Sequence, residues 1–170
     1  MKDFSKIVEE WAMAYKPMQH EPGENSRNQR FFQIADIMEI PEFMGKIPTT
    51  KTPCVFYEFM WSGHINGGKV VPTYTIYFPV NCGTSKPNPT MASKAIMESA
   101  GHAFKFITWL RSKQDSGRSE LMQLDLDNAS IDPYGPLLNG WYSCFIQLRD
   151  VDTFSVCVDP GDYVERLVAE

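Results

Sequence analysis

No apolar run in this chain is long enough to cross a bilayer. Its start, Met-Lys-Asp-Phe-Ser-Lys, carries too much charge for a signal peptide. Both absences predict a protein without a membrane partner that stays in the cytoplasm of the cell that makes it. Positive charge is not in excess either. The formal net charge is −5, which argues against a basic nucleic-acid-binding surface, so no nucleic acid is expected as partner. Cysteine is sparse. Cys54, Cys82, Cys144 and Cys157 form no C-x-x-C pair, so neither a zinc knuckle nor a thioredoxin-type site is indicated. In a reducing compartment they are expected as buried free thiols. There is no P-loop, no G-x-G-x-x-G to cradle phosphates and no G-x-S-x-G elbow to present a nucleophile. The three histidines, His20, His64 and His102, stand far apart. No catalytic residue, metal ligand or cofactor is therefore nominated, and a non-enzymatic role is expected.

What is present is a pattern of elements. A chain of 170 residues, 43% hydrophobic and 22% charged, reads as a single domain, with a core over about 4–158 and a tail over 159–170. Its centre is the stretch from Cys54 to Leu110. Cys54 to Trp61 is dense in aromatic and β-branched residues that suit a pleated surface. Asn66-Gly67-Gly68 supplies the positive-φ residues of a hairpin turn. Val70 to Val80 returns with period two, Tyr74, Ile76 and Phe78 alternating with Thr73, Thr75 and Tyr77. That spacing predicts one core face and one more polar face. Pro72 is placed near the strand start or on an unpaired side. Asn81 to Pro89 is a loop, with Asn88 or Thr90 as cap. Ala92, Ala95, Ile96, Ala100, Ala103, Phe106, Ile107 and Leu110 then recur at three and four, a long helix ending between Ser112 and Gly117.

Outside this centre the elements are shorter. Asp3 to Tyr15 is amphipathic, with Phe4, Ile7, Val8 and Trp11 on one face, Asp3 as cap and Pro17 as stop. Met18 to Arg30 is a loop. His20 beside Glu21 invites an acid–base or metal reading that lacks geometric specificity. A strand over Arg30 to Ile34 and a helical turn around Pro41 to Met44 follow. Leu121 to Asp127 alternates as a third strand. Asp125, Asp127 and Asp132 suggest a calcium loop, but the central glycine and terminal glutamate of that motif are missing. Asn128 to Gly140 is read as a loop whose Ile131, Tyr134, Leu137 and Leu138 pack on the sheet or on a partner. Trp141 to Arg149 is the clearest strand of the second half, and Phe154 to Val158 a short one. The resulting fold class is α+β: a mainly antiparallel sheet with one long helix packed on a face and a short N-terminal helix.

The order of these pieces, Pro53-Cys54-Val55-Phe56-Tyr57, Tyr74 to Val80 ending in Tyr-Phe-Pro-Val, the helix Met91 to Leu110 and the strand Trp141 to Arg149, resembles the tail-terminator and tail-completion proteins of long-tailed phages. The chain as a whole also looks like prophage proteins of gut Bacteroidetes. The resemblance implies a structural protein without enzymatic activity. It implies a homo-oligomeric ring that contacts other tail or neck proteins and belongs to the virion when phage-encoded. Subunit contacts are then expected at the hairpin tip, Ile65, Asn66, Gly67, Gly68 and Lys69, and at Ile131, Tyr134, Leu137 and Leu138. Two other readings stand beside it. One is a small-molecule-binding domain or enzyme that uses the aromatic sheet face. The other is a non-virion adaptor of a mobile element.

Overall fold

The computed structural model describes residues 3–23, 28–46, 53–66, 69–138, 140–151 and 154–155. In chain order these are α1 (Ser5–Ala14), β1 (Phe31–Ile34), a 3-10 turn (Ile37–Glu39), α2 (Ile40–Lys46), β2 (Val55–Asn66), β3 (Lys69–Tyr77), β4 (Val80–Asn81), α3 (Pro89–Asp115), a 3-10 turn (Ser119–Leu121), β5 (Leu124–Leu138), β6 (Trp141–Asp150) and β7 (Phe154–Ser155). The class is the expected α+β. All seven strands join one sheet in which only β1 and β2 run parallel. β4 continues β3 along the same edge of β6, and β7 continues the line of β6 along β3. The sheet is thus five strand lines wide, with β1 at one edge and β5 at the other.

Alternation along the strands sends side chains to two faces, and each face has its own core. One face carries Val55, Tyr57, Tyr74, Ile76, Ile146 and Leu148, covered by Phe4, Ile7, Val8 and Trp11 of α1 and by Ala103, Phe106 and Leu110 of α3. Aromatic rings knit these layers: Phe4 stacks on Tyr74 with centroids 4.8 Å apart, and Trp11 meets Phe106 at 5.0 Å and Phe78 at 5.7 Å edge-on. The opposite face gathers Phe32, Ile34, Phe56, Tyr77 and Trp141 under Ile40 and Met44 of α2. Tyr77, expected on the polar side of its strand, is buried in this second core. Both faces are covered at that end of the sheet, so period two marks two cores there.

α3 begins as its sequence demands. The Asn88 side chain accepts from the Met91 N–H at 2.9 Å, and Pro89 occupies the first turn, where no N–H partner is lost. It ends with Gly117 at φ +84, whose N–H and that of Arg118 satisfy the carbonyls of Gln114 and Lys113. Its buried stripe is Ala95, Ser99, His102, Ala103, Phe106 and Leu110, with Ala92, Ile96 and Ala100 only half-buried. Ser99 explains the offset. Its hydroxyl donates to the Phe78 carbonyl at 2.5 Å and accepts the Cys144 N–H at 2.5 Å, while the Phe78 N–H reaches the Cys144 carbonyl directly at 2.9 Å. One helix side chain is inserted into the ladder between the β3 line and β6, at the break before Pro79.

Three expectations are corrected. Of the loop expected over Asn128 to Gly140, Asn128 to Leu138 is strand: β5 runs to Leu138, paired with β6 from Leu124↔Asp150 to Leu138↔Trp141, with register shifts after Asp125 and after Tyr134. Its turn-like residues are tolerated because it is an edge strand, where bulges and prolines cost little. That strand starts at Leu124, since Ser119–Leu121 forms a 3-10 turn. Asp3 does not cap α1. Phe4 holds the cap position without a side-chain bond, and the Asp3 carboxylate instead accepts from the Ser5 hydroxyl. Pro72 sits in the gap between the β6 pair Thr73↔Arg149 and the β7 pair Val70↔Phe154, where its missing N–H breaks no ladder.

Candidate functional site

At its far end the β2–β3 hairpin runs past the strands that flank it. β1 pairs with β2 only from Val55 to Glu58. β6 pairs with β3 only from Tyr77 to Thr73. Between Glu58 and Ser62 the β2–β3 register shifts, and pairing then resumes from Ser62↔Thr73 to Asn66↔Lys69. Over the last four of these pairs, Gly63↔Pro72 to Asn66↔Lys69, the hairpin has, among the described residues, only the two-residue β7 paired beside it. Four pairs extend about 13 Å at ~3.3 Å per residue. A two-stranded ribbon of this kind is marginal in water unless a further surface supports it.

The expected contact residues fall as follows. Ile65 pairs with Val70 and Asn66 with Lys69 in this arm. Gly67 and Gly68, the expected turn, lie outside the described residues. Ile131, Tyr134, Leu137 and Leu138 all belong to β5, an edge strand two strand lines away from β3. Ile131 is half-buried against the helix-side core, opposite Ile146. Leu137 packs on the second core, and Leu138 pairs with Trp141. Tyr134 is the most open of those whose side chains are described, 39% exposed, with its ring edge-on to Tyr77 and Phe145 at 6.4 and 6.3 Å. The seven described residues thus belong to two separate elements, the β2–β3 hairpin and β5.

β5 is poorly suited to adding another strand along its whole length. Cys144 directs its N–H to Ser99 and its carbonyl to Phe78, both toward the β3 side. Its pair with Pro133 is therefore a non-hydrogen-bonded one, and the missing proline N–H falls on the outer edge. Pro133, a second proline at 136 and two bulges blunt this edge in the manner that keeps edge strands from pairing promiscuously.

The polar residues singled out earlier have structural partners. His20 is buried; its Nδ1 accepts the Arg30 N–H at 3.0 Å, so Nε2 carries the proton, 3.5 Å from Glu9 Oε1. The pairing ties the preceding loop to the start of β1. Asp125 accepts from both the backbone and side-chain nitrogens of Asn128, which holds its carboxyl below the ordinary range. Asp127 pairs with Arg111 at 2.5 Å. Among the described residues no group of three or more His, Cys, Asp or Glu is placed to hold a metal ion. Cys54, Cys82 and Cys144 are free thiols, and burial pushes the Cys54 thiol up to about 12.

Two groups escaped the sequence reading. His102 lies under the helix layer with Nδ1 3.0 Å from Tyr15 Oη and Nε2 without a hydrogen-bond partner, 3.9 Å from Glu98 Oε1. Burial lowers its pKa, against the pull of Glu98. On the other face Glu58 accepts from Tyr77 Oη at 3.0 Å. Burial raises its pKa; the Tyr77 bond opposes this and the charge of Asp36 adds to it. A carboxylate inside an otherwise aromatic strand was the available signal for Glu58. His102 had none, because its burial depends on α1 arriving from a distance.

Comparison of the chain with protein-family models, with curated proteins and with solved structures finds no match. Among the described residues no helix is long and apolar enough to cross a membrane.

Proposed function

We propose that this chain is a structural subunit that works by self-association, of the tail-terminator or head-to-tail-joining kind in a phage or prophage. One observation carries the reading: the β2–β3 arm continues for four residue pairs past the ends of β1 and of the β3–β6 pairing. An arm with so few strand partners among the described residues suits a contact element that a neighbouring subunit completes. The Tyr134–Leu137 surface on the β5 edge offers a second contact, made through side chains because the blunted edge disfavours strand addition. An arm projecting from the end of two interior strands and a surface on the β5 edge make a head-to-tail interface, which closes into a ring when the rotation permits.

The test is the native mass by light scattering over a concentration series, with negative-stain imaging of large species. A closed ring in the wild type that is lost when 63–71 is replaced by a two-residue turn is the expected result. A wild type that stays monomeric at every concentration, and an arm-shortened chain indistinguishable from it, would remove the basis for this reading. A small-molecule-binding reading rests on the half-buried Glu58–Tyr77 pair alone. It requires a ligand whose binding Glu58→Gln abolishes while native mass is unchanged.

A further inference from the structure

α3 turns one side to the sheet and leaves the other uncovered. Its buried residues, Ala95, Ser99, His102, Ala103, Phe106 and Leu110, lie along one side. Opposite them Met97, Gly101, Phe104 and Thr108 follow at spacings of four, three and four, a single line on the helix surface. Single exposed apolar residues are ordinary. Here Met97 is 70% exposed and Phe104 61%, and both fall on that line. The Thr108 hydroxyl donates to the Phe104 carbonyl at 2.8 Å, so its polar group is satisfied within α3. Gly101 is the unusual member. Glycine is a poor helix former, and this one stands in the middle of a 27-residue helix. Beyond its own helical turn, nothing among the described residues lies within 4 Å of where its Cβ would be. The missing side chain serves no contact inside the domain. It leaves an open notch between two exposed apolar side chains.

We propose that α3 pairs along this line with α3 of a second copy, the two helices antiparallel. The line is complementary to itself. About a two-fold axis passing between His102 and Ala103, Phe104 of each copy meets the Gly101 notch of the other, and Met97 meets Thr108. A large side chain set into a gap is what lets two helices approach closely. Charge selects the same arrangement. Glu98 and Lys105 are exposed and flank the line on one edge, one on each side of the axis. An antiparallel two-fold brings like edges together, so Glu98 of each copy stands beside Lys105 of the other. A parallel pair would instead set Phe104 against Phe104 and Lys105 against Lys105. The contact is isologous and does not involve the hairpin arm. It goes beyond the head-to-tail reading: rings built through the arms would join in pairs through α3.

The experiment mixes isotope-labelled and unlabelled full chains that carry the photo-cross-linking residue benzoylphenylalanine in place of Phe104, with the links read by mass spectrometry. A link from one chain to the segment around Gly101 of the other, rising with concentration, is expected. Gly101→Gln fills the notch at an exposed position with open space around it, so the melting temperature should hold or rise while the link falls roughly tenfold. Lys105→Glu should lower the link about threefold, and Glu98→Lys combined with Lys105→Glu should restore it. Links confined to one chain, links to another part of the second copy, or a yield untouched by Gly101→Gln would overturn the pairing. A double variant no better than Lys105→Glu alone would overturn the antiparallel register. The link should also persist when 63–71 is replaced by a two-residue turn; its loss there would overturn pairing through α3 in its own right.

Discussion

The two faces of the sheet solve the same burial problem with different materials. On one side two helices lay down a continuous apolar layer, and its polar members, Ser99 and His102, sit beneath helix backbone. On the other side a seven-residue helix covers one end, and aromatic rings with the Glu58–Tyr77 pair line the rest. The ionisable groups record the difference. Burial holds a base, His102, toward its neutral form on the helix side and an acid, Glu58, toward its neutral form on the other. A thick helical cover removes water from everything under it. A thin cover leaves acids half in solvent and tolerates open rings such as Tyr134.

The strongest challenge to this comparison is removal of a ring from the helix side. Phe106 has no exposed surface and touches Trp11, Phe78 and Trp109. Phe106→Ala is expected to cost about 3–5 kcal/mol in urea unfolding; a loss under 1 kcal/mol would mean that the layer is not continuous. Gly140 at the β5–β6 turn is next. Its φ is +84, and a Cβ there would lie 1.8 Å from the Thr84 carbonyl oxygen. Gly140→Ala is expected to lower stability by at least ~1–3 kcal/mol, with the loss seen in the melting temperature. Ser99→Ala leaves the Cys144 N–H and the Phe78 carbonyl facing a methyl group, at about 1–3 kcal/mol. Hydrogen exchange at Cys144 should quicken, and an unchanged rate would show that the direct strand pairing suffices. Tyr134→Ala, on the thinly covered side, should cost about 0.5–1.5 kcal/mol. A loss as large as that of Phe106→Ala would erase the contrast between the faces.

The pH dependence is the smallest effect and the sharpest contrast. His102 has a folded pKa below its ordinary 6.5, so the unfolded chain binds the proton more readily. Its contribution is complete above pH 6.5 and is lost as pH falls from there toward the folded value. Glu58 has a folded pKa above its ordinary 4.5, so its ionisation burdens the fold at neutral pH and the burden lifts as pH falls toward 4.5. Urea midpoints measured from pH 7.5 to 5 should therefore decline less steeply in His102→Gln than in the wild type, and more steeply in Glu58→Gln. Identical slopes in all three proteins would show that neither burial matters.

Local chemistry made much of this architecture readable in advance. Asn88 before Pro89, Gly117 after the last periodic residue, and the alternation of Tyr74, Ile76 and Phe78 each act through neighbours a few residues away. The misreadings share one cause. β5 was hidden because Pro133, Gly135 and Pro136 speak for a turn, whereas pairing with β6, from a register set after Gly140, imposes a strand. Ser99 and His102 were hidden because a polar residue on a helical stripe gains its partner only from a distant backbone or from Tyr15. The arm was half legible: the pairing of β2 with β3 was evident, but its reach past β1 and β6 depends on where other strands stop.

By itself the sequence determined the α+β class, the hairpin, the long helix and its caps, because propensity, periodicity and capping are short-range effects. Tertiary structure alone decided that the hairpin outruns its sheet, that the turn-rich stretch after Asp127 is an edge strand, and that Glu58 and His102 are shifted in opposite senses. Those outcomes follow from which elements cover which, and coverage is a property of contacts between residues far apart in the chain.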